Sequence, residues 1–157
     1  MAHDESSFKA EFRDALEKQY GKEAVIWTNN DMFRAGLPDF SAHRMGKLYV
    51  MEAKFIRTLP ARKTSKVLKH ELSGIQADFL QGISRTDGAA MVLVGLEDTA
   101  IACGMDAWPR ELSNGLPVPT PNLTYGELLE FKENGHVFYK GHRGWQVQGF
   151  FEKLRDI

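Results

Sequence analysis

Residues 36–55, GLPDFSAHRMGKLYVMEAKF, decide the reading of this chain. Leu48–Phe55 has the length and the aliphatic and aromatic content of a strand. Side chains alternate across a strand, so Leu48, Val50, Glu52 and Lys54 share one face and Tyr49, Met51, Ala53 and Phe55 the other. Leu37–His43 is a second, shorter strand candidate, and Arg44-Met45-Gly46-Lys47 is the place to turn. A loop of two or four residues centred on Met45-Gly46 sets Asp39 opposite Glu52, with Cβ atoms about 4.5–5.5 Å apart. A three-residue loop would move Asp39 out of register, and Met-Gly is not a favoured pair for a type I′ turn. The register is therefore conditional on the turn.

If the register holds, two like charges face each other on a half-buried sheet and need a counter-ion, because each raises the pKa of the other. Lys54 supplies one positive charge, and a divalent cation would supply more. Carboxylate oxygens and waters at about 2.1 Å are what Mg²⁺ selects, with one or two protein carboxylates and substrate phosphate completing the shell. A surface hairpin carrying a neighbouring Glu–Lys pair would show the same residues.

Pro38-Asp39, followed by Glu52-Ala53-Lys54 closing an apolar strand, resembles the motif of the PD-(D/E)xK nuclease superfamily. It is similar to the small phage and archaeal types that include Holliday junction resolvases and the VRR-NUC group. The context Gly-Leu-Pro-Asp-Phe, a glycine-containing turn and Tyr-Val-Met-Glu-Ala-Lys is more specific than the triplet alone. The resemblance implies a Mg²⁺- or Mn²⁺-dependent deoxyribonuclease in which Asp39, Glu52 and the carbonyl of Ala53 hold the metal. It also implies that Lys54 positions the attacking water and offsets developing negative charge. An acid from the first helix commonly joins such sites, and this role is carried to Glu5, with Glu11 as second choice. An acid in a first helical turn also simply favours the helix dipole.

The surrounding chain supplies the remaining elements. Asp4 or Ser6 caps a predicted helix running to Tyr20, with Phe8, Phe12, Ala15 and Leu16 on its apolar face. Ala24–Trp27 is a short strand candidate. Arg34, just before Gly36, is placed to bind a phosphate oxygen. Gly36 lets the chain turn or approach closely ahead of Pro38.

After Phe55, residues 56–70 carry Arg57, Arg62, Lys63, Lys66 and Lys69 with no acid, and they read as a flexible basic loop contacting the nucleic-acid backbone. No aromatic residue is interleaved there. Ser73-Gly74-Ile75-Gln76 fits a capping box. In the resembling families a glutamine at this place lies near the active site, so Gln76 has a cap reading and a site reading. Ala89–Val94 is a buried strand, and Thr99–Cys103 another.

The resulting order, α-β-β-β-α-β, is that of a restriction-endonuclease-like α/β core, a mixed sheet flanked by helices. One nuclease domain is expected over 1–157, with the core at about 4–104 and a C-terminal addition at about 105–157. In that addition, Met105–Asn122 reads as irregular, with Trp108 as a packing anchor. Thr124–Glu127 caps a short helix ending at Asn134-Gly135, and His136–Lys140 and Trp145–Phe151 form a terminal hairpin.

Composition narrows the function classes. The 157 residues carry a net charge of −1, with 43% hydrophobic and 26% charged residues, so nucleic-acid binding must use a local patch. Cys103 is the single cysteine, which excludes an internal disulfide framework and a cysteine zinc cluster. The five histidines show no zinc spacing. No phosphate-binding glycine loop and no Gly-x-Ser-x-Gly turn is present, so neither a nucleotide cofactor nor a serine hydrolase is expected. The acidic N-terminus lacks a signal region and the longest apolar run is too short to cross a bilayer. The expected setting is the cytoplasm of a bacterial or phage-infected cell, or the nucleus in a eukaryote, with DNA as partner and no membrane. Junction resolution would require paired active sites and hence a homodimer. The alternative is a nucleic-acid-binding or assembly module that kept the fold without the chemistry.

Overall fold

The computed structural model describes residues 4–29 and 36–157. Helix α1 spans Glu5–Tyr20, and its N-cap Asp4 accepts a hydrogen bond from Ser7 N at 2.8 Å. Its four buried residues, Phe8, Phe12, Leu16 and Tyr20, follow helical spacing and form the stripe that packs on the sheet.

Strands β1 (Val25–Thr28), β2 (Phe40–Arg44) and β3 (Lys47–Phe55) form an antiparallel meander. The β2–β3 register runs from Arg44↔Lys47 to Phe40↔Met51, the pairing that places Asp39 and Glu52 at the next opposed position. The turn that fixes it is a two-residue one, with Met45 at φ 51° and Gly46 at φ 80°. Two consecutive left-handed residues are what a type I′ turn demands, and they match the twist of the flanking strands. Met45 carries the modest local cost of a left-handed non-glycine residue, and its side chain reaches solvent.

Strand β4 (Lys66–Leu68) and helix α2 (Gly74–Ser84) lead to β5 (Ala89–Gly95), which runs parallel to β3, and β6 (Thr99–Gly104) returns antiparallel. After a short 3₁₀ turn at Met105–Ala107 come β7 (Arg110–Ser113), β8 (Leu116–Pro119), β9 (Leu123–Thr124), α3 (Tyr125–Glu133), β10 (Val137–Gly141), β11 (Gly144–Gln146) and α4 (Phe150–Lys153). The main sheet has seven strands in the order β1-β2-β3-β5-β6-β10-β11. This mixed sheet between helices has the expected restriction-endonuclease-like order, and the terminal hairpin adds to its far edge through β10 and β6.

Each sheet face has its own core. Phe8, Phe12 and Leu16 of α1 meet Tyr49, Met51, Ala53, Met91 and Leu93, with Phe150 and Phe151 of α4 closing one end. Val50, Val92, Val94 and Ile101 face Ala77 and Leu80 of α2 and Leu128 and Phe131 of α3. The predicted alternation in β3 is thus observed: even-numbered residues face α2, odd-numbered ones α1. Among the described residues no helix is long and apolar enough to cross a membrane.

Three expectations change. The basic stretch after Phe55 is not a free loop: β4 pairs with β9, Gly126 N donates to Lys63 O at 2.9 Å, and Tyr125 N donates to Ser65 O at 2.8 Å. The segment expected to be irregular contains the β7–β8 hairpin, turning on Asn114-Gly115 with φ 52° and 78°. The terminal hairpin ends at Gln146 rather than Phe151. Gly149 at φ 74° turns the chain into α4, because Val147, Phe150, Phe151 and Leu154 reach the core together at helical spacing.

Candidate active site

β2 stops pairing at Phe40, one residue short of Asp39. Asp39 is fixed there by its own backbone, whose carbonyl accepts from Asn29 N at 3.1 Å. Its carboxylate divides its oxygens: Oδ2 accepts from Ala53 N at 2.8 Å, and Oδ1 accepts from Lys9 Nζ at 3.1 Å. The N–H and C=O of one strand residue leave on the same edge. The carbonyl of Ala53 therefore also points to the Asp39 side of β3.

Glu52, on strand β3, is only 4% exposed. Its Oε1 accepts from Gln76 Nε2 at 3.2 Å and lies 4.0 Å from Lys54 Nζ. Among the described residues no donor reaches its buried Oε2, and the facing Asp39 carboxylate can hydrogen-bond to Glu52 only while one of the two acids holds a proton. Burial, then the neighbouring Asp39 charge and a hydrogen bond shared with Asp39, push the Glu52 carboxyl from 4.5 up to about 8, with Lys54 pulling the other way. A buried acid of this kind is costly unless something satisfies it.

A divalent cation fits that requirement. It would engage Glu52 Oε2, the Asp39 carboxylate and the Ala53 carbonyl, all hard oxygen donors on one side of β3. Among the described residues no three of His, Cys, Asp and Glu converge, so such an ion would complete its shell with water and phosphate oxygens. Glu5 does not close a three-acid group. It stands on the first turn of α1, exposed as a residue, yet neighbouring atoms desolvate its carboxyl and raise its pKa. Lys54 acts against that rise and Asp39 adds to it, so Glu5 shares the field of the site from its rim. Glu11 instead accepts from Lys140 Nζ at 2.9 Å, on the side of α1 that faces β10.

Gln76 forms the expected cap and also reaches Glu52. Its Oε1 accepts from Ser73 N at 3.0 Å while Ser73 Oγ accepts from Gln76 N at 3.1 Å, a complete capping box, and its Nε2 donates to Glu52. The start of α2 is thereby tied to the buried acid. Gly36, at φ 83°, brings the chain so close to α2 that a Cβ there would lie 2.1 Å from Ile75 Cγ2. The backbone needs glycine for both reasons.

Arg57, Arg62, Lys63, Lys66 and Lys69 are all exposed, and Arg34 lies outside the described residues. Two participants were not singled out from the sequence. Lys9 follows Glu5 by four positions, so it shares that helix edge. Asn29 sits in the polar segment after β1 and donates through Nδ2 to Pro38 O and Ser41 Oγ, both at 2.9 Å.

No family model matches the chain, and no curated protein matches it. Among solved structures, Hjc of Archaeoglobus fulgidus, described as a Holliday junction resolvase from an archaeal hyperthermophile, superposes with a TM-score of 0.48 at 13% identity, covering 77% of this chain and 91% of that chain. A likeness this distant leaves activity to be argued from the residues themselves.

Proposed function

We propose that the chain is a metal-dependent nuclease that hydrolyses DNA phosphodiester bonds in the cytoplasm, with Mg²⁺ or Mn²⁺ held by Asp39, Glu52 and the Ala53 carbonyl. The observation that carries this reading is the buried Glu52 carboxyl, facing the Asp39 carboxylate with no donor to its Oε2 among the described residues, beside Lys54 at the end of a strand pairing. A surface ion pair needs no such burial, whereas a site that must be completed by a cation and a phosphate does.

The metal, when bound, supplies Lewis-acid stabilisation of the phosphate and lowers the pKa of a water. The chain supplies the rest. The Ala53 N–H holds Asp39 in place, and Gln76 orients Glu52 through Oε1, leaving Oε2 to face the cation. Lys54 Nζ, 4.0 Å from Glu52 Oε1, would orient the attacking water and offset the charge that develops on the phosphoryl oxygens. Glu5 adds its charge at the rim, in the field of Asp39 and Lys54. The exposed Arg57, Arg62, Lys63, Lys66 and Lys69 contact the backbone of the substrate, with Arg34 assigned to a phosphate beside the site.

The test is cleavage of linear duplex, single-stranded, flap and four-way junction DNA, and of matching RNA, with Mg²⁺, Mn²⁺ or chelator, comparing wild type with Asp39→Asn. Metal-dependent cutting that the variant loses supports the reading. Paired symmetric nicks on the junction would select a dimeric resolvase. Binding without cutting under every metal would select the non-catalytic module.

A further inference from the structure

Strand β1 carries an aromatic ring on the face of the sheet that bears the carboxylates. Ile26 packs into the α1 core, so its neighbours Val25 and Trp27 point the other way. Trp27 pairs with Ser41, and Ser41 with Val50, placing the indole in the row of side chains next to that of Asp39 and Glu52. On this face α2 packs against β5 and α3 against β6, so the helical layer lies over the middle of the sheet. Val25 and Trp27 stay 66% and 39% exposed. The ring is also held: Trp27 Nε1 donates to Asn29 Oδ1 at 3.0 Å, and the Asn29 amide is anchored on Pro38 O and Ser41 Oγ.

We propose that Trp27 is a stacking platform for an unpaired base of the nucleic acid whose phosphate lies over Asp39 and Glu52. This rests on the nuclease reading. A fixed indole, exposed beside the proposed phosphate site and two strands or roughly 10 Å from β3, is what a single-stranded segment needs: a π-face that any base can cover. Bases within a duplex already stack on each other and have no free face to offer. The platform therefore biases the site toward substrates with a single-stranded or splayed stretch at the cut, with the same Asn29 that fixes the ring also holding the entry to Asp39.

The other two tryptophans, Trp108 and Trp145, are 2% and 6% exposed, so quenching of intrinsic fluorescence by a bound base reports Trp27. The experiment titrates the full chain, in chelator, with an oligothymidylate and with a blunt duplex, for wild type, Trp27→Leu and Trp27→Phe, with circular dichroism as the check on folding. The expected result is quenching of wild type by the single strand. Trp27→Leu should lose that signal and bind single strand roughly 5- to 150-fold more weakly, with a smaller effect on the duplex. Trp27→Phe, which keeps a ring but not the Nε1 donor, should retain most of the affinity.

Equal single-strand binding by wild type and Trp27→Leu, in a protein that cuts, overturns the platform and leaves the nuclease reading standing. A wild-type dimer that Trp27→Leu dissociates in sedimentation, with oligonucleotide binding unchanged, overturns it in favour of contact with a second copy. Wild type that neither binds nor cuts any nucleic acid overturns both.

Discussion

Replacing Glu52 by Gln keeps the shape of the side chain and removes one of two facing acids, and the metal-free protein should gain stability at alkaline pH. The substituted amide would keep an oxygen for Gln76 Nε2 and add a donor facing Asp39. In the wild type the folded chain holds the Glu52 proton up to about 8, against 4.5 for an ordinary Glu. Between those values the folded state binds more protons than the unfolded one, so stability falls as pH rises through that window and levels off above it. At roughly 1.4 kcal/mol per tenfold change in proton affinity, the full loss is on the order of 3–5 kcal/mol. The two proteins should therefore be about equally stable near pH 4.5 and diverge until about pH 8. Urea unfolding in chelator across that range measures this directly. Parallel curves would refute the reasoning, because Glu52 would then ionise in the fold as freely as in the unfolded chain. Adding Mg²⁺ at about pH 8 should restore stability to the wild type, since a bound cation needs the ionised acid. The same addition should do little for the variant.

Four further outcomes separate the parts of the site. Lys54→Ala should leave the unfolding midpoint nearly unchanged and slow single-turnover cleavage by about 10²-fold or more; normal cutting would make Lys54 an ordinary strand residue. Replacing Lys63 and Lys66 together with Ala should weaken DNA binding uniformly across sequences and flatten the slope of log affinity against log salt by about 2, and an unchanged slope would remove both from the interface. Gln76→Glu keeps an acceptor for the Ser73 N–H but loses the donor to Glu52 and adds an acid, so it should lower cleavage at neutral pH. Gln76→Ala should also lose about 1 kcal/mol of stability with the cap, as read by thermal unfolding.

What the sequence carried here was local. The β2–β3 register followed from counting outward from Met45-Gly46, and the faces of β3 from alternation alone. The Ser73–Gln76 and Thr124–Glu127 caps were legible because each joins residues three apart. The β7–β8 hairpin had a strong short turn signal, Asn114-Gly115, masked by the prolines around it. The spacing of Val147, Phe150, Phe151 and Leu154 is helical, but α4 is a single turn at Phe150–Lys153, too short for periodicity to separate it from a strand. Non-local contacts were not legible. Nothing near Lys9 announces Asp39 thirty residues on, and nothing in the basic stretch announces that β9 will pair with it.

The position of the site follows from where a strand pairing ends. β2 and β3 hydrogen-bond up to Phe40↔Met51, and β3 continues to Phe55 alongside β5 alone. The edge of β3 beyond Met51 thus has backbone groups with no strand to bond, at a place where Ala53 is fully buried. An unpaired buried N–H would cost free energy comparable to a lost hydrogen bond, and the Asp39 carboxylate offsets that by accepting from Ala53 N. The same ending leaves the Ala53 carbonyl on the Asp39 side, and alternation brings Glu52 and Lys54 to the α2 face, where the capping box delivers Gln76. Backbone oxygen, two acids and one ammonium thus meet through the geometry of one interrupted strand pair. What this geometry leaves without a donor, among the described residues, is Glu52 Oε2. Filling the position with an apolar residue would have made the better core, so retention of an acid there is a local conflict of the kind that marks a functional site.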